Sequence, residues 1–488
     1  MKNTIALVII ILSFTACSPE PVTNAKFSDS DAPIFPDFNG VTIPLNICPL
    51  NFDATDDNVE LIDVQFVGNI TGTIHCQNSG TIDIPRKSWR ELLLQNAGDT
   101  IKVTVSTKKN GSWTTFRPFP IIVSTDSIDQ FVVYRLIAPA FETFSHTGIY
   151  QRNIENFDET TIVDNHLLQM ACINCHSFNR NDPRDFIFHV RGPHGGTFVR
   201  KNDGPLSYYD TKTNQTLNNF AYAYWHPNGR YVAFSMNTTR QLFHTGTGER
   251  IDVFDGASDI CVFDTETDQI LHAPHLRTKD FENWPTFSPD GTKIYFTLAD
   301  SVPMPMEHKT IRCVICSVDF DAENGIIGQK IDTLVNLHND SLSASVPRPS
   351  YDGKYLMFSS LTFGNFPVWH EASDLWLHNL STGETYPLTE ANSETCEAYH
   401  NWSTNSHWFC VSSRRIDNLH TLIYFGRIDE NGHSSKPFLL PQRSPKEYYR
   451  NQLRSFSCPE FSTREVEIDD HSAWQQFSSD RRRSVTLQ

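Results

Sequence analysis

A hydrophobic strand of one shape recurs six times along this 488-residue chain, and that recurrence leaves few folds open. The runs begin at Phe131 (FVVYR), Phe186 (FIFHV), Tyr231 (YVAFS), Ile294 (IYFTL), Tyr355 (YLMFS) and Trp408 (WFCVS), at successive spacings of 55, 45, 63, 61 and 53 residues. Self-similarity at such periods marks a repeat architecture. Three runs follow the same kind of turn: HPNGR before Tyr231, SPDGTK before Ile294 and SYDGK before Tyr355. Pro, Asn or Asp, and Gly suit a tight turn between antiparallel strands. Each unit then carries a second hairpin, such as DICVFDTETDQIL or DLWLHNLSTGETYPL. Four strands per unit and six units predict a six-bladed β-propeller over residues 130–440.

The rest of the chain divides around this block. Residues 34–125 hold short β-type runs (NVELIDVQFVG, GTIDIP, TIKVTVSTKK) separated by Gly, Asn and Asp, which predicts a β-sandwich-like domain. Residues 441–488 are left as a C-terminal tail. The N-terminus, MKNTIALVIIILSFTACSPEP, has one Lys and an apolar run from Ile5 to Leu12, too short to span a bilayer. It reads as an export signal over residues 1–16. Its end, FTAC, resembles the bacterial lipobox, which implies lipidation of Cys17 and a polar tether over residues 17–33. The expected location is therefore the cell envelope, as an outer-membrane lipoprotein facing the periplasm or the cell surface and touching the membrane only through its acyl chains. Forty basic and 57 acidic residues give a net charge of −17, which repels nucleic acid. Eleven cysteines suit an oxidising compartment. Cys48 and Cys76 are candidates for pairing, a question that spacing leaves open. Cys313 and Cys316, in IRCVICSV, read as strand cysteines.

One motif interrupts the strands. QMACINCHSF contains Cys172, Cys175 and His176 as C-x-x-C-H, the spacing by which c-type cytochromes hold haem. The two thiols reach the haem vinyl groups and the adjacent imidazole takes the iron. That chemistry wants a helical turn, which NHLLQMACINCH (residues 165–176) is expected to supply. Aligning the second repeat on the third puts the motif at the start of an innermost strand, facing the central channel. The matching positions are YAYW (residues 222–225) and the neighbourhoods of Trp284, Val346 and Tyr399. The expectation is one covalent haem c on Cys172, Cys175 and His176, with Arg191 beside a propionate. For the second metal ligand the candidates are His189, His194 and His400, the last at a position comparable to His176. A local disulfide, buried thiols beside an unrelated His and a non-haem metal site stay open. Glu282 and Glu397 precede innermost strands and are candidate channel residues.

The stretches WPTFSPDGTKIYF and SDLWLHNLSTGETYPLT resemble the repeats of TolB-type propellers over residues 130–440. Together with the lipobox, GIYQRNIENFDET and CINCHSF, the chain is similar to Bacteroidetes lipoproteins described as TolB-like or cytochrome c-related. The resemblance implies an all-β chain, an N-terminal β-sandwich-like domain followed by a six-bladed TolB-type β-propeller, and it implies no particular reaction. Three functions remain compatible with the sequence. The first is a lipid-anchored monohaem cytochrome that transfers electrons to a redox partner or senses a redox ligand. The second is a non-catalytic module that binds a cell-envelope protein or a glycan, with C-x-x-C-H structural. The third is an enzyme using a five-coordinate haem. G-x-S-x-G, H-E-x-x-H, the P-loop and G-x-G-x-x-G are all missing from the sequence.

Overall fold

The computed structural model describes residues 20–139, 146–192, 194–245, 249–479 and 481–488; the expected leader and Cys17 lie outside them. The fold is all-β, with 47% of the chain in strands and 8% in helices. Its sheets are arranged as in a propeller, with four blades distinct. No helix among the described residues is long and apolar enough to cross a membrane.

The repeated runs are second strands of antiparallel sheets. Phe131–Ile137, Asp182–Arg191, Tyr231–Phe243, Lys293–Ala299, Tyr355–Leu361 and Trp408–Ser413 each lie beside an inner strand. They are apolar at successive positions because both of their faces are covered, as in any sheet packed on two sides. Phe186 and Phe188 belong to one buried cluster while Ile187 belongs to the next, as period-2 alternation requires. The units at Phe220–Leu271 and Phe281–Val335 share a nine-stranded sheet, joined by a single parallel pairing of Ser258 with Phe281. The turn glycines Gly229, Gly291 and Gly353 have φ of 71°, 76° and 73°, a left-handed conformation that other residues rarely adopt.

The tail does not stand apart from the sheets. Ser455–Ser462 pairs antiparallel with Phe131–Ile137 and becomes the inner strand of the first sheet. It also packs against the inner strands Cys172–Asn179 and Glu397–Trp402, so it closes the circle. Beyond it, Arg483–Ser484 adds to Ser207–Asp210 and Thr486–Leu487 to Gln269–Leu271. The boundary expected at residue 440 is thus corrected: chain closure joins the two ends of the repeat region, which removes an exposed strand edge.

Residues 20–125 form a seven-stranded sheet centred on Thr100–Lys109 and Leu61–Gly68, beside a two-stranded one of Ile34–Phe35 with Asp53–Ala54. Helix α1 (Arg86–Gln95) covers it through Trp89, Leu92 and Leu93, with Trp89 edge-on to Phe66 at 5.8 Å. This helix occupies the layer in which the sequence reading expected a second sheet. The apolar core under it runs on into Trp402, Phe425 and Phe461 of the repeat region. At that junction Asp126 accepts from Arg427 Nη2 and from His407 Nδ1, both at 3.1 Å. Cys48 and Cys76 are free thiols, as are the other eight described cysteines.

Candidate functional site

Among the described residues six strands line the centre, and each is broken at the same place. Pairing shifts between Asn174 and Ser177, Ala221 and Tyr224, Asn283 and Thr286, Ser345 and Arg348, and Ala398 and Asn401. In Ser455–Ser462 it shifts between Ser457 and Glu460. One residue at each break is left-handed: Cys175, Tyr222, Trp284, Val346, Tyr399 and Cys458, with φ between 51° and 55°. Positive φ at Trp, Val and Tyr is strained, by about 1–3 kcal/mol per residue. Six repetitions show that the centre demands this backbone. A bulge re-aims the side chains around it, and here it turns two consecutive residues towards the axis.

This explains where the motif goes. Cys175 and His176 occupy the same two positions as Tyr222-Ala223, Trp284-Pro285, Val346-Pro347, Tyr399-His400 and Cys458-Pro459. The expected helical turn is absent: Asn165–Met170 forms turns, and Cys172 opens an extended strand. Cys175, His176, His400 and Glu460 line an inner cavity of about 50 Å³. Cys172 instead lines a space of about 100 Å³ at the channel mouth, with Arg191 and Arg414; Tyr222, Tyr399 and Cys458 line both this space and the inner cavity, so the two adjoin.

The inner cavity is deeply buried, and the Arg348 guanidinium lines it beside Glu460. The His176 ring is 1% exposed, and burial pushes its imidazole down to about 3. Burial pushes the Glu460 carboxyl up to about 8, while its Oε1 accepts from the Phe178 amide at 3.0 Å. His176 Nε2 lies 3.9 Å from Glu460 Oε2, too far for a hydrogen bond. Both shifts favour the uncharged forms of this pair. His400 is likewise pushed down to about 3 by burial, and its Nε2 is engaged by the Met357 carbonyl at 3.0 Å.

A haem does not fit this arrangement. Attachment needs Cys172, Cys175 and His176 on one macrocycle, whereas here the first thiol lines the mouth and the other two residues line the narrower space that adjoins it. The space beside His176, about 50 Å³, is small against the roughly 300–1,000 Å³ of pockets for drug-sized ligands. Among the described residues no group of three or more His, Cys, Asp or Glu is placed to hold a metal ion.

The remaining candidates gather elsewhere. His189 and Arg191 line a third cavity of about 530 Å³ between the second and third sheets, together with Lys212, Asn218, Asn219 and Thr239. Arg191 and Thr239 line the mouth space too, so the two spaces adjoin. Burial pushes the His189 imidazole down to about 3; its Nδ1 is 3.4 Å from Thr197 Oγ1. His194 packs edge-on against Phe477 at 5.9 Å. Glu282 is pushed up to about 7 by burial and accepts from Thr278 Oγ1 at 2.7 Å. Glu397 is held by Ser413 Oγ at 2.8 Å and Arg415 Nη2 at 3.0 Å. The sequence reading missed Asp255. It is wholly inside and accepts from Asn237 at 2.8 Å, Asn283 at 2.7 Å, Asn365 at 3.1 Å and Thr239 at 2.7 Å, tying three units together beside the large cavity.

No protein-family model matches the chain, and no curated protein matches it. Several solved structures are similar to this chain at a low level. An oligogalacturonate lyase in complex with manganese is 12% identical, with 62% of this chain and 73% of that one covered and a TM-score of 0.36. A prolyl endopeptidase is 12% identical over 64% of this chain and 42% of its own, with a TM-score of 0.35. A DUF4784 family protein from Bacteroides caccae is 8% identical over 75% and 95%, with a TM-score of 0.29. Scores this low carry nothing about activity.

Proposed function

We propose that this chain is a six-bladed, TolB-like propeller that serves as a non-catalytic binding module of the cell envelope, tethered through Cys17, in which C-x-x-C-H is a structural element of one inner strand. The observation that carries this reading is the equivalence of Cys175-His176 to five other bulge pairs, of which only Tyr399-His400 repeats the His and only Cys458-Pro459 the Cys. Residues that recur as Tyr, Trp, Val and Pro at one geometric position answer to backbone closure rather than to iron. The nine-stranded sheet counts as two blades, because one residue pair alone joins its halves. The cavity of about 530 Å³ between the second and third sheets has the size of a small-ligand pocket and suits a glycan-sized molecule.

The test is mass spectrometry of the wild-type protein made in a haem-attaching host. The peptide holding Cys172 and Cys175 is expected without the haem mass, and Cys172→Ser with Cys175→Ser is expected to leave the protein folded. A haem increment on that peptide would restore the cytochrome reading, with its redox partner.

A further inference from the structure

The large cavity and the mouth beside it have a chemical bias opposite to the chain's overall charge. The chain carries a net charge of −17, yet Arg191 and Lys212 line this cavity and Arg414 lines the adjoining mouth. Arg414 lies over the Trp369 ring at 5.6 Å, and the Tyr222 hydroxyl faces the Arg191 guanidinium. Among the described residues no carboxylate lies within ion-pair distance of Arg191 or Lys212, and neither has a further partner. Asp255 is within electrostatic reach of Arg191, but four side-chain donors already fill its oxygens. Asp210, the carboxylate on the cavity wall, is paired with Arg482 at 3.4 Å. A guanidinium held in a concave space with no carboxylate in ion-pair contact is a site for a carboxylate or phosphate, which its fork of donors matches in geometry.

Resting on the binding-module reading above, we propose that the cavity between the second and third sheets binds a small polyhydroxylated organic anion. Arg191 takes the acidic group, Lys212 at the rim attracts it, and Asn218, Asn219 and Thr239 meet the hydroxyls. A sugar acid and a sugar phosphate share this chemistry.

Calorimetric titration of the full chain with gluconate, glucose 6-phosphate, glucose and glucosamine separates the outcomes. One or both anions should bind at millimolar or lower concentration, more weakly as salt is raised; comparison of the two anions assigns the acidic group. Glucose and glucosamine should bind at least tenfold more weakly. Arg191→Gln should weaken the anion roughly tenfold or more and Arg191→Lys less. Since Arg191 is partly buried, Lys212→Glu on the exposed rim gives a second arm that leaves the fold alone and should also weaken the anion. Equal binding of glucose and gluconate, or anion binding indifferent to both Arg191→Gln and Lys212→Glu, overturns the anion assignment and leaves the binding module standing. Silence from both anions overturns it as well. The binding-module reading falls separately, on the haem mass of the motif peptide.

Discussion

Replacing Phe461 with Ala tests whether the C-terminal segment locks the circle of sheets. The Phe461 side chain is 0% exposed, and its ring stacks on Phe425 with centroids 5.7 Å apart at 23°. It sits on Ser455–Ser462, whose register runs from Phe131 opposite Ser462 to Ile137 opposite Ser455. Truncating a buried Phe to Ala costs about 3–5 kcal/mol, transfer and cavity together. A domain's whole stability is about 5–15 kcal/mol, so the loss is a large fraction of it. Leu453→Ala, two residues before the strand and 74% exposed, is the control, expected within about 0.5 kcal/mol of wild type. Urea unfolding followed by tryptophan fluorescence gives the difference in midpoint, and limited trypsin digestion should cut Phe461→Ala after Arg454 well before it cuts the control. If both variants unfold at the same midpoint and resist trypsin equally, the strand does not close the ring.

Three further outcomes are expected. Burial pushes the His370 imidazole down to about 4 from the ordinary 6.5, so on acidification the unfolded chain takes the proton first and stability is lost as pH falls from 6.5 through 4, by up to about 3 kcal/mol; His370→Asn should flatten that part of the stability profile, and an unchanged slope would refute it. Val346→Gly relieves left-handed strain of about 1–3 kcal/mol while losing apolar burial of about 1.5–3 kcal/mol, so it should be nearly neutral, whereas Val411→Gly in a regular buried strand should show the full loss in the same unfolding assay. Cys17→Ser should abolish incorporation of labelled fatty acid; label persisting on that variant would sink the anchor.

The strands were legible because burial on two sides writes continuous apolar runs, and the turns because His226-Pro227-Asn228-Gly229 and its relatives carry their own geometry. The closing strand was not found, although its signal is in the sequence. Asn283-Trp284-Pro285-Thr286-Phe287-Ser288 and Ser457-Cys458-Pro459-Glu460-Phe461-Ser462 share a pattern, with the bulged residue before Pro and an aromatic two residues after it. Ser345-Val346-Pro347-Arg348-Pro349-Ser350 keeps it with a second Pro for the aromatic. Read as a repeat, that hexamer marks the inner strand, and its copy at residue 457 lies in what looked like a tail. The large cavity was half legible. Arg191 and His189 stand on the strand that forms its wall, but Lys212, Asn218 and Asn219 come from the loop ahead of the next inner strand, and Asp255 from a unit apart. Only packing of the second sheet on the third brings them together.

What the C-x-x-C-H spacing assembles depends on backbone geometry. On a helix, positions i, i+3 and i+4 share one face, so Cys172, Cys175 and His176 would all meet one flat ligand. On a regular strand alternation sends i and i+3 to opposite faces. The bulge at Cys175 then turns i+3 and i+4 together towards the axis and leaves i behind at the mouth. The same five letters therefore assemble a site in one conformation and divide it in the other. The conformation is decided by the five other inner strands, whose bulges at Tyr222, Trp284, Val346, Tyr399 and Cys458 must stay in step with the one at Cys175. Converting residues 172–176 to a helical turn would break the pairing of Cys172 with Arg191 and of Asn174 with His189. It would thereby displace the guanidinium from the cavity wall on which the proposed ligand depends.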